Sequence, residues 1–240
     1  MSNSLNFPIN YKYVYVTPGD YASGRVDNCK YMYAYAQNEV IKVLIDTSDI
    51  KNMNNMFLNC YALVILPFDT SNVTSMRNMF NGCSELTTIP QLDTSNVTDM
   101  SSMFFVCYSL TSIPQLDTSN VTDMSSMFGS CSKLTSIPLL DCQKVNSMSS
   151  MFGYSNINSI TYLGGFKDLG KQSSVSGISS GFLDRAPNLT HESLMNVINN
   201  LYDRKANGLS NMSIKFGTKN LNKLTDEEKA IAVNKGWNLS

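Results

Sequence analysis

The chain has 240 residues, 42% of them apolar and 10% aromatic. That is too hydrophobic for a disordered segment and enough for one elongated domain or two small ones to bury a core. The formal net charge is −1, with 8 basic against 12 acidic side chains up to residue 165 and 10 against 7 beyond it, so neither half carries the basic surplus of a nucleic-acid binder.

The opening residues, "MSNSLNFPINYKYVYVTPGDY", hold no apolar run of signal-peptide length, and no later stretch approaches the length of a membrane span. The expectation is a soluble chain without a leader. Within this segment "YKYVYV" alternates and runs into "TPGD", which predicts a strand and a turn. Val26, Cys29, Met32 and Tyr33 then keep the spacing of the repeats that follow, so residues 1–44 read as an N-terminal strand and a degenerate capping repeat.

Residues 45–163 are organised by repetition. The stretch "LDTSNVTDMSSMF" occurs at Leu92 and again at Leu116, with looser copies at Ile45, Phe68 and Leu140. Phe57, Phe80, Phe104, Phe128 and Phe152 follow at intervals of 23, 24, 24 and 24, each preceded by Met, and Cys60, Cys83, Cys107 and Cys131 come three residues after the first four. A fixed period of this length predicts stacked units that contact only their neighbours. Within one unit Val97, Met100, Met103, Phe104 and Cys107 have the spacing of one helical face, and Asp93, Ser95 and Asn96 offer capping oxygens, which predicts a short helix from near Asn96. Leu110 and Ile113 followed by Pro114 predict a short strand closed by a turn.

Residues 164–240 break the period. "GGFKDLGKQSSVSGISSGF" over 164–182 reads as an irregular Gly/Ser-rich loop. Thr190 is placed to cap a helix over "HESLMNVINNLYD", whose Leu194, Val197, Ile198 and Leu201 form an apolar face. "MSIKFG" predicts a strand, "TDEEKAIAVNKG" a helix with acids in its first turn, and "WNL" a last strand, so the segment reads as closing units.

The chemistry-bearing residues point to structure. The six cysteines show neither CxxC nor a Cys/His zinc spacing, and a linear column cannot bring four thiolates to one tetrahedral ion. The paired Met columns share a face with Val and Phe and belong to a core rather than to a copper site. Asp46, Asp69, Asp93, Asp117 and Asp141 form an acidic column in which neighbours about 5 Å apart would repel by about 3 kcal/mol at an effective dielectric near 20. Each is expected to be held by an Asx-type bond from its own "TSN" turn, with bridging calcium as the alternative. The lone histidine, His191, stands beside a helix start with no nucleophile motif for it to serve, and Trp237 reads as a plug in the last unit. No cofactor, metal or enzymatic activity is expected.

The pattern "LDTSNVTDMSSMFxxCxxLTSIP" resembles the BspA-like leucine-rich-repeat group of bacterial surface proteins, whose repeat was first noted in mycoplasma lipoproteins and is common in gut bacteria. The resemblance covers residues 45 to about 160, and "LTHESLMNVINNLYD…LTDEEKAIAVNKGWNLS" is similar to the closing segment of such proteins in gut bacteria and their phages. It implies an α/β solenoid, a right-handed leucine-rich-repeat stack of short parallel strands and short helices, used for adhesion and protein binding. The outward strand residues would then line a concave face: Thr87, Thr88, Gln91, Thr111, Ser112, Gln115, Thr135 and Ser136. The expected function is recognition of a protein or glycan partner on a host or bacterial surface, without nucleic acid. The alternative is a phage-encoded virion-surface protein of the same fold. The expected location is extracellular or at the cell surface, with virion and cytoplasm left open.

Overall fold

The computed structural model describes residues 40–41, 47–61, 64–65, 68–153 and 160–240, and for 40–41 and 64–65 the backbone alone. The expected "YKYVYV" strand, most of the capping repeat and Asp46 lie outside the described residues.

Consecutive repeats lie against one another in parallel register. Isolated bridges join Asn52 to Ser75, Ser75 to Asp99, Asp99 to Asp123, Asp123 to Ser147 and Ser147 to Ser176, so one position of the repeat meets its counterpart in the next. Short strands add to this ladder, but none forms at Leu110–Ile113, where the spacing predicts one. Strand β1 (Val40–Ile41) pairs with β2 (Val64–Ile65), β3 (Ser136–Ile137) with β5 (Tyr162–Leu163), and β4 (Leu140–Asp141) with β6 (Phe166–Lys167), all parallel.

The columns read from the sequence form the core. Met53, Met76, Met100, Met124 and Met148 are fully buried, as are the five Phe residues and the Met residues before them. Phe57, Phe80, Phe104, Phe128 and Phe152 stack ring over ring at 5.5, 5.7, 5.9 and 6.3 Å between centroids. This spacing suits offset aromatic contact, and each buried ring contributes about 1.5–3 kcal/mol through area alone. Each thiol caps its column inward: the Sγ–H of Cys83, Cys107 and Cys131 donates to the carbonyls of Phe57, Phe80 and Phe104 at 3.0–3.1 Å.

Where the spacing predicts a helix from Asn96, the segment folds as a succession of tight turns. Ser102 and Val106 have positive φ, as do Asn55, Asn59, Asn78, Gly82, Ser126, Ser130 and Ser150 in the same two slots of other repeats. Alternate amides bond outward to the next repeat, from Met76 to Asp99, Asn78 to Ser101, Phe80 to Met103 and Gly82 to Phe105, while Met79, Asn81 and Cys83 bond three residues back. A helix would turn every amide inward and leave no ladder. The turn form satisfies the same backbone groups while joining the repeats.

The segment read as an irregular loop, 164–182, carries β6 and two further ladder contacts. Ser176 bridges Ser147, and Phe182 extends the aromatic column by packing on Phe152 at 5.7 Å. Gly177 makes this approach possible: its φ is 84°, and a Cβ there would come 2.2 Å from the Ser149 Cα. The chain closes with a 3-10 turn (Leu183–Arg185), helix α1 (His191–Asn200), strand β7 (Met212–Ile214), a short helix α2 (Thr218–Leu221), helix α3 (Asp226–Asn234) and strand β8 (Trp237–Leu239), which pairs with β7. The Thr190 hydroxyl caps α1 by accepting from the Ser193 amide, and Thr225 and Glu228 form a capping box on α3. The sequence reading did not anticipate α2.

Candidate functional site

The "DTSN" turn of the repeat is built from four side chains with four tasks. The Oδ1 of Asp93 accepts from the Ser95 amide at 3.0 Å and its hydroxyl at 2.7 Å, and Asp117 does the same with Ser119 at 3.0 and 2.7 Å. Asp69 and Asp141 accept the corresponding amides of Ser71 and Gln143. This is the Asx bond expected of the column. It holds the Asp93 carboxyl below the ordinary range, through the Ser95 hydroxyl first and its amide second, and holds Asp117 below it through the Ser119 amide and hydroxyl.

The next residue, Thr, is buried and reaches forward, so that Thr70, Thr94 and Thr118 donate to the carbonyls of Asp93, Asp117 and Asp141. The Asn reaches back: Asn72, Asn96 and Asn120 donate to the carbonyls of Ser48, Ser71 and Ser95 at 2.5–2.7 Å.

Asp93, Asp117 and Asp141 line an open groove of about 600 Å³ together with Gln91, Leu92, Gln115, Leu116, Leu139 and Lys167. At its far end the Lys167 ammonium lies 2.6 Å from Asp141 Oδ2. Their bond raises the Lys167 pKa, with the charge attraction second.

The eight residues expected to line a binding face divide between this groove and the surface beside it. Gln91 and Gln115 are in the groove, but their amide nitrogens are committed to the ladder: Gln91 Nε2 donates to the Gln115 and Leu92 carbonyls, and Gln115 Nε2 to those of Leu139 and Leu116. Thr111 and Thr135 are exposed, yet their hydroxyls donate to the carbonyls of Thr87 and Thr111. Thr87, Thr88 and Ser112 are exposed, and Ser136 is half-buried in β3 opposite Tyr162. Much of the hydrogen-bonding capacity expected to face a partner is therefore spent between repeats. The sequence signal for the groove was the Asp column itself, read as turn chemistry with bridging calcium as the alternative.

Other polar groups singled out by their rarity are structural. His191 Nε2 lies 2.8 Å from Glu228 Oε1 and ties α1 to α3. Trp237 is buried and donates its ring N–H to the Tyr202 carbonyl at 2.9 Å. Arg204, which nothing in the sequence marks, is 1% exposed and donates to the backbone carbonyls of Gly170, Gln172, Ser173 and Ser210. Burial of the four described column thiols and of Cys142 leaves no accessible thiol among the described residues, and it pushes the Cys131 thiol up to about 12.

Comparison with curated proteins and with solved structures returned no match to this chain. Residues 27–133 and 63–162, together more than half of the 240, match the family described as "Mycoplasma protein of unknown function, DUF285", and the chain belongs to that mycoplasma-associated repeat family.

Proposed function

We propose that this chain is a non-enzymatic recognition module, a right-handed leucine-rich-repeat solenoid of BspA-like type that binds a protein or glycan on a host or bacterial surface. The observation that carries the reading is the groove bounded by Gln91, Asp93, Gln115, Asp117, Leu139 and Lys167. It spans successive rungs and is rigid, because its walls are the atoms that clamp one repeat to the next. A preformed surface of this kind loses little conformational entropy on binding, and buried area spread over several rungs offsets weak single contacts. Membership of a surface-associated repeat family supports an extracellular setting.

The test is a binding assay on whole cells and extracted surface components beside circular dichroism. Replacing Thr111, Ser112 and Gln115 together with Lys puts misplaced charge on the exposed face and the groove wall. The expected result is a folded protein with at least about tenfold weaker binding. A folded variant that binds as tightly as the parent overturns the assignment of this face.

A further inference from the structure

The chain holds two Asn–Gly pairs, Asn81–Gly82 and Asn207–Gly208. Such a pair carries a reaction of its own, because glycine lacks the Cβ that would shield its backbone nitrogen from the preceding side-chain amide. The fold treats the two pairs oppositely. Gly82 is buried and its amide donates to the Phe105 carbonyl of the next repeat at 2.8 Å, while the Asn81 carbonyl accepts from the Asn59 amide of the previous one at 2.7 Å. The ladder clamps this pair on both sides, and freeing its nitrogen means parting two rungs.

Asn207 and Gly208 are both exposed, in the segment that leads from α1 to β7. The Gly208 φ is 68°, and no atom lies within 4 Å of where a Cβ would stand. The bonds that hold the pair all end within residues 203–208. Asn207 Nδ2 donates to the Asp203 carbonyl at 2.7 Å, and the Asn207 and Gly208 amides donate to the carbonyls of Arg204 and Lys205 at 3.2 Å. A turn held only by itself opens by itself, with every rung left in place.

We propose that Asn207 is a self-modification site, converted in the folded protein to aspartate and isoaspartate, and that Asn81 is protected by the ladder. The deprotonated Gly208 nitrogen attacks Cγ of Asn207, so that an N–Cγ bond forms and the Cγ–Nδ2 bond breaks. Ammonia leaves with the proton that the nitrogen gave up, and a cyclic succinimide remains. Water, the sole co-reactant, then opens the ring at Cγ to give aspartate, or at the main-chain carbonyl to give isoaspartate, whose backbone runs one carbon longer. Either product replaces the donor seated on the Asp203 carbonyl with a carboxylate oxygen that repels it, so the modified turn is looser and more negative by one charge.

The test ages freshly purified full chain in mildly alkaline buffer and follows its proteolytic peptides by mass spectrometry, with isoaspartyl methyltransferase marking the isoaspartate. Conversion at Asn207 is expected to run at least about tenfold faster than at Asn81, and in urea, where the ladder is gone, the two rates should converge. Gly208→Ala places its Cβ in open space and crowds only the attacking nitrogen, so it should stop the conversion and keep the fold. Asn207→Gln, which must close a larger ring, should slow it as well. The aged parent should melt below the fresh one, and aged Gly208→Ala should not. Equal rates at the two asparagines of the folded protein, or an Asn207 that converts only in urea, overturns the proposal. An undiminished rate in Gly208→Ala overturns the succinimide route, and an aged parent that melts like the fresh one overturns the loosening of the turn.

Discussion

The Thr94 hydroxyl donates to the carbonyl oxygen of Asp117, 2.8 Å away and one repeat further along, while Asn120 of that repeat donates back to the carbonyl of Ser95 at 2.6 Å. One tetrapeptide thus clamps its neighbours in both directions. Thr must be small and buried, Asn must be long enough to cross a rung, and Asp and Ser must close the turn between them. That division of labour explains a polar stretch repeated letter for letter.

Thr94→Val tests the forward half of the clamp. It preserves shape, removes the hydroxyl and leaves the Asp117 carbonyl without that donor. Loss of a buried partner costs about 1–3 kcal/mol, and Thr94→Ser, which keeps the donor, should cost less. Urea titration of the three proteins gives the order, and equal midpoints for Val and Ser would show that the bond contributes nothing.

The Phe column should carry far more stability than the exposed Thr/Ser face. Phe104 is fully buried between Phe80 and Phe128, so Phe104→Ala leaves a cavity and should cost about 3–5 kcal/mol. Thr111→Ala gives up a hydroxyl contact of 3.3 Å at an exposed site and should change stability by under about 0.5 kcal/mol. Similar shifts for the two would contradict the burial of the ring column.

The columns were legible because burial at one position per rung forces the same residue type to recur, and Val97, Met100, Met103, Phe104 and Cys107 are all inside. Their helical spacing misled because a run of tight turns can place the same residues inward. The better signal lay in two slots four residues apart, occupied by Asn55 and Asn59, then Asn78 and Gly82. Asn and Gly tolerate positive φ, and they mark the turns that replace a helix. In the last units Thr190 and Thr225 start helices where capping chemistry places them. The Gln side chains that close the groove were legible only as polar and outward, because which amide meets which carbonyl depends on register between rungs.

Acid should loosen the array and chelation should not. The Asp93 and Asp117 carboxyls are held below the ordinary range when folded, so their stabilisation is complete above the unfolded pKa of about 4 and fades as pH falls through the lower folded value. The melting temperature should hold from about pH 7 to about pH 5 and fall below about pH 4, with a shallower acid slope in the Asp93→Asn, Asp117→Asn protein. EDTA at neutral pH should leave it unchanged, because the Ser95 and Ser119 groups hold the carboxylates. A fall on chelation that calcium reverses would place a metal on the column.

The buried thiols should be silent to reagents in the native protein. Cys83, Cys107, Cys131 and Cys142 are 0% exposed, and burial keeps their thiols protonated well above neutral pH. Iodoacetamide near pH 8, read by peptide mass spectrometry, should label these four only at the rate of unfolding and quickly in urea. Rapid native labelling of any of them would show that its column opens locally.

The C-terminal closure should depend on the absence of a side chain at residue 170. Gly170 has φ 84°, and a Cβ there would lie 2.3 Å from Cζ2 of Trp237, a buried ring tied through its N–H to Tyr202. The Arg204 guanidinium donates to the Gly170 carbonyl and its Cδ would lie 3.6 Å from the added Cβ, so the backbone has little room to retreat. Gly170→Ala should therefore add a steric clash to the strain of a left-handed residue and cost about 2 kcal/mol or more. Gly208 is the control: its φ is 68° with no atom within 4 Å of the added Cβ, so Gly208→Ala should cost only the backbone strain, about 1 kcal/mol. Trp237 is the chain's one tryptophan, and its emission reports the site directly. A red shift and a lower melting temperature are expected for Gly170→Ala, and an unshifted spectrum for Gly208→Ala. Two variants with the same spectrum and the same small loss of stability would mean that Trp237 does not pack on Gly170, and that the last unit is closed by α1 and α3 alone.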